Sequence, residues 1–145
     1  MKIVPIVFAF DNNLTCPACI CLSSLLLNAG NDTFYDIYII HSYNTALDQD
    51  LLGSIKQIND NCNLTFIRVN SEFENSYEVR GITAPAYYRL LIPELIPHYN
   101  KILYSDVDVI FRADLSDIYF NTDIEGYYFA GVDSVAHLIP DLKHY

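Results

Sequence analysis

The chain has 145 residues, of which 52% are hydrophobic and 18% charged, a balance typical of one globular domain with its own core. Its formal net charge of -10 argues against nucleic acids and anionic membranes as partners, because both are bound through basic surfaces. No apolar run is long enough for a transmembrane helix, so we expect a cytoplasmic protein with reduced thiols, although a full-length form could associate with a membrane.

Apolar segments of strand length alternate with helical patterns along the chain. Each predicted helix begins at a threonine, and Thr45 and Asp48 are spaced as in a capping box. Strand–helix alternation with continuously apolar strands predicts an α/β fold, a Rossmann-like half with a mostly parallel sheet and helices on both faces. The predicted strands are 2–10, 36–42, 63–70, 101–111 and 126–133, and the predicted helices are 15–30, 45–60 and 83–92, the last ending before Pro93.

Three of the four cysteines are clustered in the segment "CPACIC", and the fourth is Cys62. On a helix, Cys16 and Cys19 share a face whereas Cys21 points elsewhere, and no histidine lies close in sequence. We therefore favour small, buried helix residues over a zinc site.

Polar residues gather where the predicted strands end. Asp11 and Asn13 follow the first strand, Asp106 and Asp108 interrupt the fourth, and Asp133 ends the fifth. Sheets of this kind bind ligands at the carboxyl ends of their strands, near a topological switch point. The segment "FDNNLT" after the first strand contains no glycine, which argues against a dinucleotide fingerprint and a P-loop.

Asp106 and Asp108 form the motif Asp-Val-Asp within the apolar segment "KILYSDVDVIF". In an extended segment they point to the same side, with Cα atoms about 6–7 Å apart, and their charges repel. A divalent cation such as Mn²⁺ or Mg²⁺ would relieve this repulsion and keep positions open for phosphate oxygens. The alternative is a pair of solvated acids in a turn.

Two further features are polar outliers near this edge. Arg89 is the only charge in the predicted helix 83–92, and it could pair with Asp106 or Asp108 or contact a diphosphate. The alternative is a purely structural ion pair. Asp11 and Asn13 could bind a nucleobase and ribose, and their alternative role is an Asx turn.

The segments "IVFAFDNN", "APAYYRLLIPELIP", "KILYSDVDVIF" and "FAGVDS", in this order, resemble glycosyltransferase family 8. This family includes glycogenin and bacterial lipopolysaccharide galactosyl- and glucosyltransferases, and the resemblance covers about residues 2 to 135. It implies a GT-A type nucleotide-sugar-binding domain. It also implies retaining transfer of a hexose from a UDP-sugar donor to a saccharide or lipopolysaccharide-type acceptor, with Mn²⁺ or Mg²⁺ as cofactor.

The resemblance also implies roles for individual residues. Asp106 and Asp108 would bind the metal that bridges the donor diphosphate, and Arg89 would lie by the phosphates and the sugar. Asp11 and Asn13 would face the uridine, and Asp133 would contact hydroxyl groups of the donor sugar. No catalytic nucleophile is identified, in keeping with the front-face attack often described for this family.

The chain departs from the family pattern at two points. Leu14 stands where members often have an aromatic residue that stacks on the base. Family enzymes are longer, and their later part supplies a histidine ligand to the metal and the acceptor site. We therefore expect residues 1–145 to form a single, C-terminally truncated nucleotide-sugar-binding domain, whose uncovered apolar surface would favour oligomers.

Two other functions are weighed against transfer. One is a non-catalytic donor-binding or partner module that lacks the acceptor half. The other is a phosphatase or phosphotransferase with an aspartate nucleophile, which fits poorly because the acid pair lies on the fourth predicted strand instead of the first.

Overall fold

The computed structural model describes residues 1–70, 73 and 84–131. Within these residues, four strands form one sheet in the order β3-β2-β1-β4, and all the pairings are parallel. The predicted parallel α/β architecture is confirmed. The strands are β1 (Lys2–Ala9), β2 (Thr33–Ser42), β3 (Cys62–Val69) and β4 (Leu103–Tyr104).

Helices connect the strands and cover the sheet. None of the helices in the described segments is long and apolar enough to cross a membrane. The α-helices are α1 (Thr15–Leu27), α2 (Gln49–Gly53), α3 (Ala84–Tyr87), α4 (Ile92–Leu95) and α5 (Ser116–Asn121), and short 3-10 helices cover Asn12–Leu14, Ser54–Gln57 and Tyr88–Leu91.

Hydrophobic cores lie on both faces of the sheet. On one face, Phe8, Leu22 and Ile37 belong to a cluster formed by the sheet, α1 and the α2 region. On the other face, Val7, Ile40 and Tyr88 pack with the segment 84–104. Full burial of one such side chain contributes about 1.5–3 kcal/mol, so the two cores fix the strands and, with them, the carboxyl edge of the sheet.

The start of α1 differs from the prediction. The predicted cap, Thr15, is the first helical residue, and the N-cap position is occupied by Leu14. The reason lies upstream, where Asp11 caps the 3-10 helix Asn12–Leu14 by accepting a hydrogen bond from the Asn13 backbone N–H. The chain enters α1 directly from that turn, and the Thr15 hydroxyl donates to Asn12 Oδ1 instead.

The predicted helix 45–60 is also different. Thr45 is not its cap, because the Asp48 side chain accepts a hydrogen bond of 2.9 Å from the Leu51 backbone N–H and α2 begins at Gln49. After Gly53 the chain tightens into the 3-10 helix Ser54–Gln57. Thr45 is thereby left in the loop between β2 and α2.

The predicted helix 83–92 does not end before Pro93. Pro93 lies in the first turn of α4, where its missing N–H leaves no hydrogen bond unmade. Thr83, its predicted cap, lies outside the described residues.

The predicted fourth strand, 101–111, is wrong in length. Only Leu103 and Tyr104 pair with β1, and the chain then leaves the ladder. Val107 turns into the α1-side core and the Phe111 ring packs edge-on against Phe8, with 6.5 Å between ring centroids. The apolar character of this segment therefore reflects packing beneath α1, and strand pairing accounts for little of it.

The predicted fifth strand, 126–133, is not found over its described part, 126–131. Gly126 adopts a φ of 80°, and Tyr127, Tyr128 and Phe129 are 75%, 103% and 84% exposed. Asp133 lies outside the described residues.

Candidate functional site

The strand order changes direction between β1 and β4. Successive strands β1, β2 and β3 run outward on one side, whereas β4 returns to the other side of β1. Val7 pairs with Tyr104, so Asp11 and Asp106 follow the last paired residues by four and two positions. Both acidic segments therefore emerge at the topological switch point, where this class of sheet binds ligands.

Asp106 and Asp108 are both exposed and flank the buried Val107. This alternation holds the two carboxylates out of the α1-side core. Among the described residues, none donates a hydrogen bond to Asp108. Its negative charge does interact electrostatically with the buried thiol of Cys21. Burial, followed by this charge, raises the pKa of Cys21 to about 11 despite the opposing effect of the Val109 backbone.

Asp106 contacts two side chains that converge on its Oδ1 atom. Arg89 Nη2 lies 3.4 Å away, and the Tyr104 hydroxyl donates a hydrogen bond of 3.0 Å. The Arg89 guanidinium also lies 4.4 Å from the Tyr104 ring centroid, and its Nε donates to the Ala86 carbonyl over 2.7 Å. Burial, followed by the Asp106 charge, raises the pKa of Tyr104, so its hydroxyl stays a donor.

The structure thus brings Arg89 to the acid pair. The Arg89 and Asp106 side chains are 43% and 59% exposed, so the ion pair itself is worth at most about 1 kcal/mol. A weak, open pair of this kind exchanges easily for a ligand. The sequence alone did not single out Tyr104, although its position two residues before Asp106 places it on the same side of the chain.

A pocket lies between the carboxyl ends of β1 and β2. The Asp11 carboxylate accepts hydrogen bonds from the Asn13 backbone N–H at 2.9 Å and from Asn13 Nδ2 at 3.4 Å, so the Asx turn considered above is present. The turn leaves side chains of both residues lining the pocket. Its lining residues are Asp11, Asn12, Asn13, Asn44, Thr45 and Ala46.

The β2 side of this pocket is held by His41, which is fully buried. Its Nδ1 lies 3.1 Å from the carbonyl oxygens of both Ser42 and Thr45, which assigns the proton to Nδ1. Nε2 has no hydrogen-bond partner among the described residues. Burial lowers the pKa of His41, so the neutral ring is the form that fits. The sequence signal was a polar residue in the apolar strand "IYIIHS".

Comparison with known proteins decides the family. The chain matches the family model described as Glycosyl transferase family 8 over residues 5–144. It belongs to this family. No curated protein matches the sequence at a significant level.

Solved glycosyltransferases share the fold of this family 8 chain, which is of the GT-A type. The galactosyltransferase LgtC, solved with donor and acceptor sugar analogues, is 28% identical with a TM-score of 0.67, over 83% of this chain and 43% of LgtC. GlyE of Streptococcus pneumoniae TIGR4 is 22% identical with a TM-score of 0.67, over 90% of this chain and 29% of GlyE. The bifunctional WbbM is 23% identical with a TM-score of 0.66, over 85% of this chain and 21% of WbbM.

The family 8 chain offers two oxygen ligands to a divalent cation at this edge. Exposed carboxylates suit Mg²⁺ and Mn²⁺, and Asp108 is unengaged by the side chains described. Within residues 1–70, 73 and 84–131, however, no three histidine, cysteine, aspartate or glutamate side chains are grouped to hold a metal. A cation held by these two carboxylates would need further ligands from outside these residues.

The same observation bears on the cysteines. No metal-binding group forms around Cys16, Cys19 and Cys21 in the described segments, so the zinc alternative has no structural support. Cys21 is buried as expected, whereas Cys16 is exposed.

Proposed function

We propose that this chain is the donor-binding domain of a retaining glycosyltransferase that transfers a hexose from a UDP-sugar to a saccharide or lipopolysaccharide-type acceptor. One observation carries the proposal. The polar pocket at the ends of β1 and β2 adjoins the Arg89, Asp106 and Asp108 group at the end of β4, along one sheet edge. A nucleoside and a diphosphate require two such neighbouring sites.

The spacing of the strands supports this division. Neighbouring strands lie about 4.8 Å apart, so the ends of β2, β1 and β4 span about 10 Å. That distance is comparable to the reach from a base to its second phosphate. We assign the uridine to the pocket at Asp11 and Asn13, and the diphosphate to the β4 side.

Charge supports the assignment as well. A chain of net charge -10 repels a free diphosphate unless cationic groups mediate. Arg89 is one such group, and a divalent cation at Asp106 and Asp108 would be another. When bound, Mn²⁺ or Mg²⁺ would stabilise the negative charge of the departing UDP as a Lewis acid. Tyr104 and Arg89 hold the Asp106 carboxylate in place, and Asp133 stays our proposed contact to the donor sugar.

Calorimetric titration of UDP, with and without Mn²⁺, tests this proposal. We expect metal-dependent binding that is lost in the double variant Asp106→Asn, Asp108→Asn. Asp117→Asn is the matched control, because the Asp117 side chain is 88% exposed and its ion pair within the described residues is with Lys2, at 3.9 Å. UDP binding that does not depend on Mn²⁺, or that is unchanged in the double variant, would refute the proposal. GDP and ADP titrations report base selectivity.

Transfer is tested separately from binding. UDP release from UDP-glucose or UDP-galactose would show that the chain activates the donor. Metal-dependent UDP binding without any release would favour the alternative, a non-catalytic donor-binding or partner module.

A further inference from the structure

The first five residues of α1 include two thiols three residues apart, Cys16 and Cys19. Cys16 is exposed, Cys19 is half-buried, and both are free. Neither thiol has a hydrogen bond to the described part of the chain. The pair follows β1 at the start of the helix of a β-α-β unit, which is the placement of Cys-x-x-Cys motifs in dithiol oxidoreductases.

Packing does not account for this pair. Ala18 between them is fully buried, whereas Cys16 is exposed to solvent and only the half-buried Cys19 touches the core. Metal binding has no support either, because no third histidine, cysteine, aspartate or glutamate is grouped with this pair among the described side chains. Redox chemistry between the two sulfur atoms is the use that their exposure and spacing allow.

Helix geometry brings the two residues within disulfide range. Residues three apart on an α-helix have Cα atoms about 5 Å apart, inside the range of about 4.4–6.8 Å found in disulfides. Their Cβ atoms are about 5–6 Å apart and must approach to about 3.5–4.5 Å. Small changes in the backbone torsions of this turn, away from regular helical geometry, would close that gap.

The start of α1 is suited to such a change, because the residues just before it, Asn12–Leu14, are already outside regular α-helical geometry. The first N–H groups of a helix have no intrahelical partners, and Pro17 has no N–H at all. Few hydrogen bonds would therefore be lost when the turn closes.

We infer that Cys16 and Cys19 form a reversible intramolecular disulfide, with a small-molecule disulfide such as oxidised glutathione as the oxidant. The exposed Cys16 thiolate attacks one glutathione sulfur, the glutathione S–S bond breaks, and one glutathione thiolate leaves. Cys19 gives its proton to solvent and attacks the Cys16 sulfur, and the second glutathione leaves as a thiol. Two protein thiols are oxidised and one disulfide is reduced to two thiols.

The surroundings of Cys19 suit the second, resolving step. Burial raises the pKa of Cys19, and the charges of Cys16 and Asp48 raise it further. The outer thiol therefore reacts with the oxidant, and the inner one reacts once the mixed disulfide is in place.

Equilibration in glutathione buffers of increasing oxidised fraction tests this inference. After acid quenching and alkylation, intact mass and peptide mapping should show the loss of two hydrogen atoms and a Cys16–Cys19 link that dithiothreitol reverses. Cys21 and Cys62, both buried, should remain alkylatable after unfolding. Two free thiols at Cys16 and Cys19 in fully oxidised glutathione would overturn the inference.

Single variants separate the two steps. Cys19→Ser should accumulate a glutathione mixed disulfide at Cys16 that the wild-type chain resolves, and Cys16→Ser should accumulate little. Cys62→Ser is the matched control and should titrate as the wild type does. A persistent mixed disulfide in the wild type, or a link between two chains on a non-reducing gel, would also overturn the inference. None of these measurements depends on nucleotide binding.

Discussion

The hydroxyl group of Tyr104 donates a hydrogen bond of 3.0 Å to Oδ1 of Asp106, two residues further along the chain. The same ring lies against the Arg89 guanidinium, 4.4 Å from its carbon atom to the ring centroid. One side chain thereby holds both a proposed metal ligand and a proposed phosphate contact. This makes Tyr104 a positioning residue in the proposed donor site.

Removal of the Tyr104 hydroxyl should weaken donor binding without unfolding the chain. Tyr104→Phe deletes one hydrogen bond to a carboxylate, so we expect Mn²⁺-dependent UDP affinity to fall about two- to tenfold. Tyr104→Ala should cost more because the ring under Arg89 is lost as well. Titration calorimetry measures both effects, and equal affinities for wild type and Tyr104→Phe would contradict the assigned role.

The first three strands and the parallel sheet were predictable from the sequence. Their runs are apolar on both faces, as in the segment containing Phe8 and Val7, which enter opposite cores. The fourth strand was not predictable in length. Val107 and Phe111 are as apolar as ladder residues, but they pack beneath α1, and hydrophobicity alone does not distinguish the two kinds of burial.

The candidate site was predictable only where residues are close in sequence or chemically unusual. Arg89 stood out as a lone charge, and the structure brings it to Asp106. The pocket residues Asn44 and Thr45 were missed, because their role depends on which loops meet at the sheet edge. Thr45 also matched a helix-capping pattern, and Asp48 takes that role in the structure.

An aromatic residue at position 14 should strengthen nucleotide binding. Leu14 follows the pocket residue Asn13 and is 42% exposed. Base–aromatic stacking is worth about 1–3 kcal/mol, so Leu14→Tyr should raise UDP affinity at least about fivefold. Ile20→Tyr, at an exposed apolar position of the following helix α1, is the control and should change nothing. An unchanged affinity in Leu14→Tyr would place the base elsewhere.

Asp114 anchors the segment after β4 to the start of β2. Its carboxylate accepts hydrogen bonds from the hydroxyls of Thr33, Tyr35 and Ser116. Asn offers one oxygen and places an amide donor against hydroxyl donors, so Asp114→Asn should lower the free energy of unfolding by about 1–3 kcal/mol. Urea denaturation measures it, with Asp117→Asn as the exposed control. Equal losses in the two variants would contradict this anchor.

The same anchor predicts acid sensitivity. Burial alone would raise the pKa of Asp114, but the hydrogen bonds from Ser116, Tyr35 and Thr33 and from the Gly30 backbone together lower it below its usual 3.8. As the pH falls, Asp114 is therefore protonated in the unfolded chain before it is protonated in the folded chain. The stabilising contribution of the Asp114 carboxylate is complete above about pH 4 and is lost as the pH falls through the lower pKa of the folded chain. Asp114→Asn should flatten this part of the stability profile.

His41 predicts a second pH dependence, near neutrality. Burial lowers its pKa from the usual 6.5 and the nearby Arg68 lowers it further, whereas hydrogen bonds to the Ser42 and Thr45 carbonyls oppose the shift. At pH values between the lowered pKa of folded His41 and 6.5, the unfolded chain binds more protons than the folded chain. The contribution of His41 to the free energy of unfolding is therefore greatest above about pH 6.5 and declines as the pH falls below that value.

Replacement of His41 by asparagine separates this titration from the structural role of the ring. The asparagine amide can donate to the Ser42 and Thr45 carbonyls in place of Nδ1, but it does not titrate. His41→Asn should keep most of the stability at pH 7.5 and lose the decline below pH 6.5. His41→Leu should lower the free energy of unfolding by about 1–3 kcal/mol at both pH values, because the Thr45 carbonyl loses its donor, whereas the Ser42 carbonyl keeps the Thr45 backbone N–H. Urea unfolding across this range measures all three chains. An unchanged slope in His41→Asn would mean that another group titrates, since no ionisable side chain would then remain at position 41.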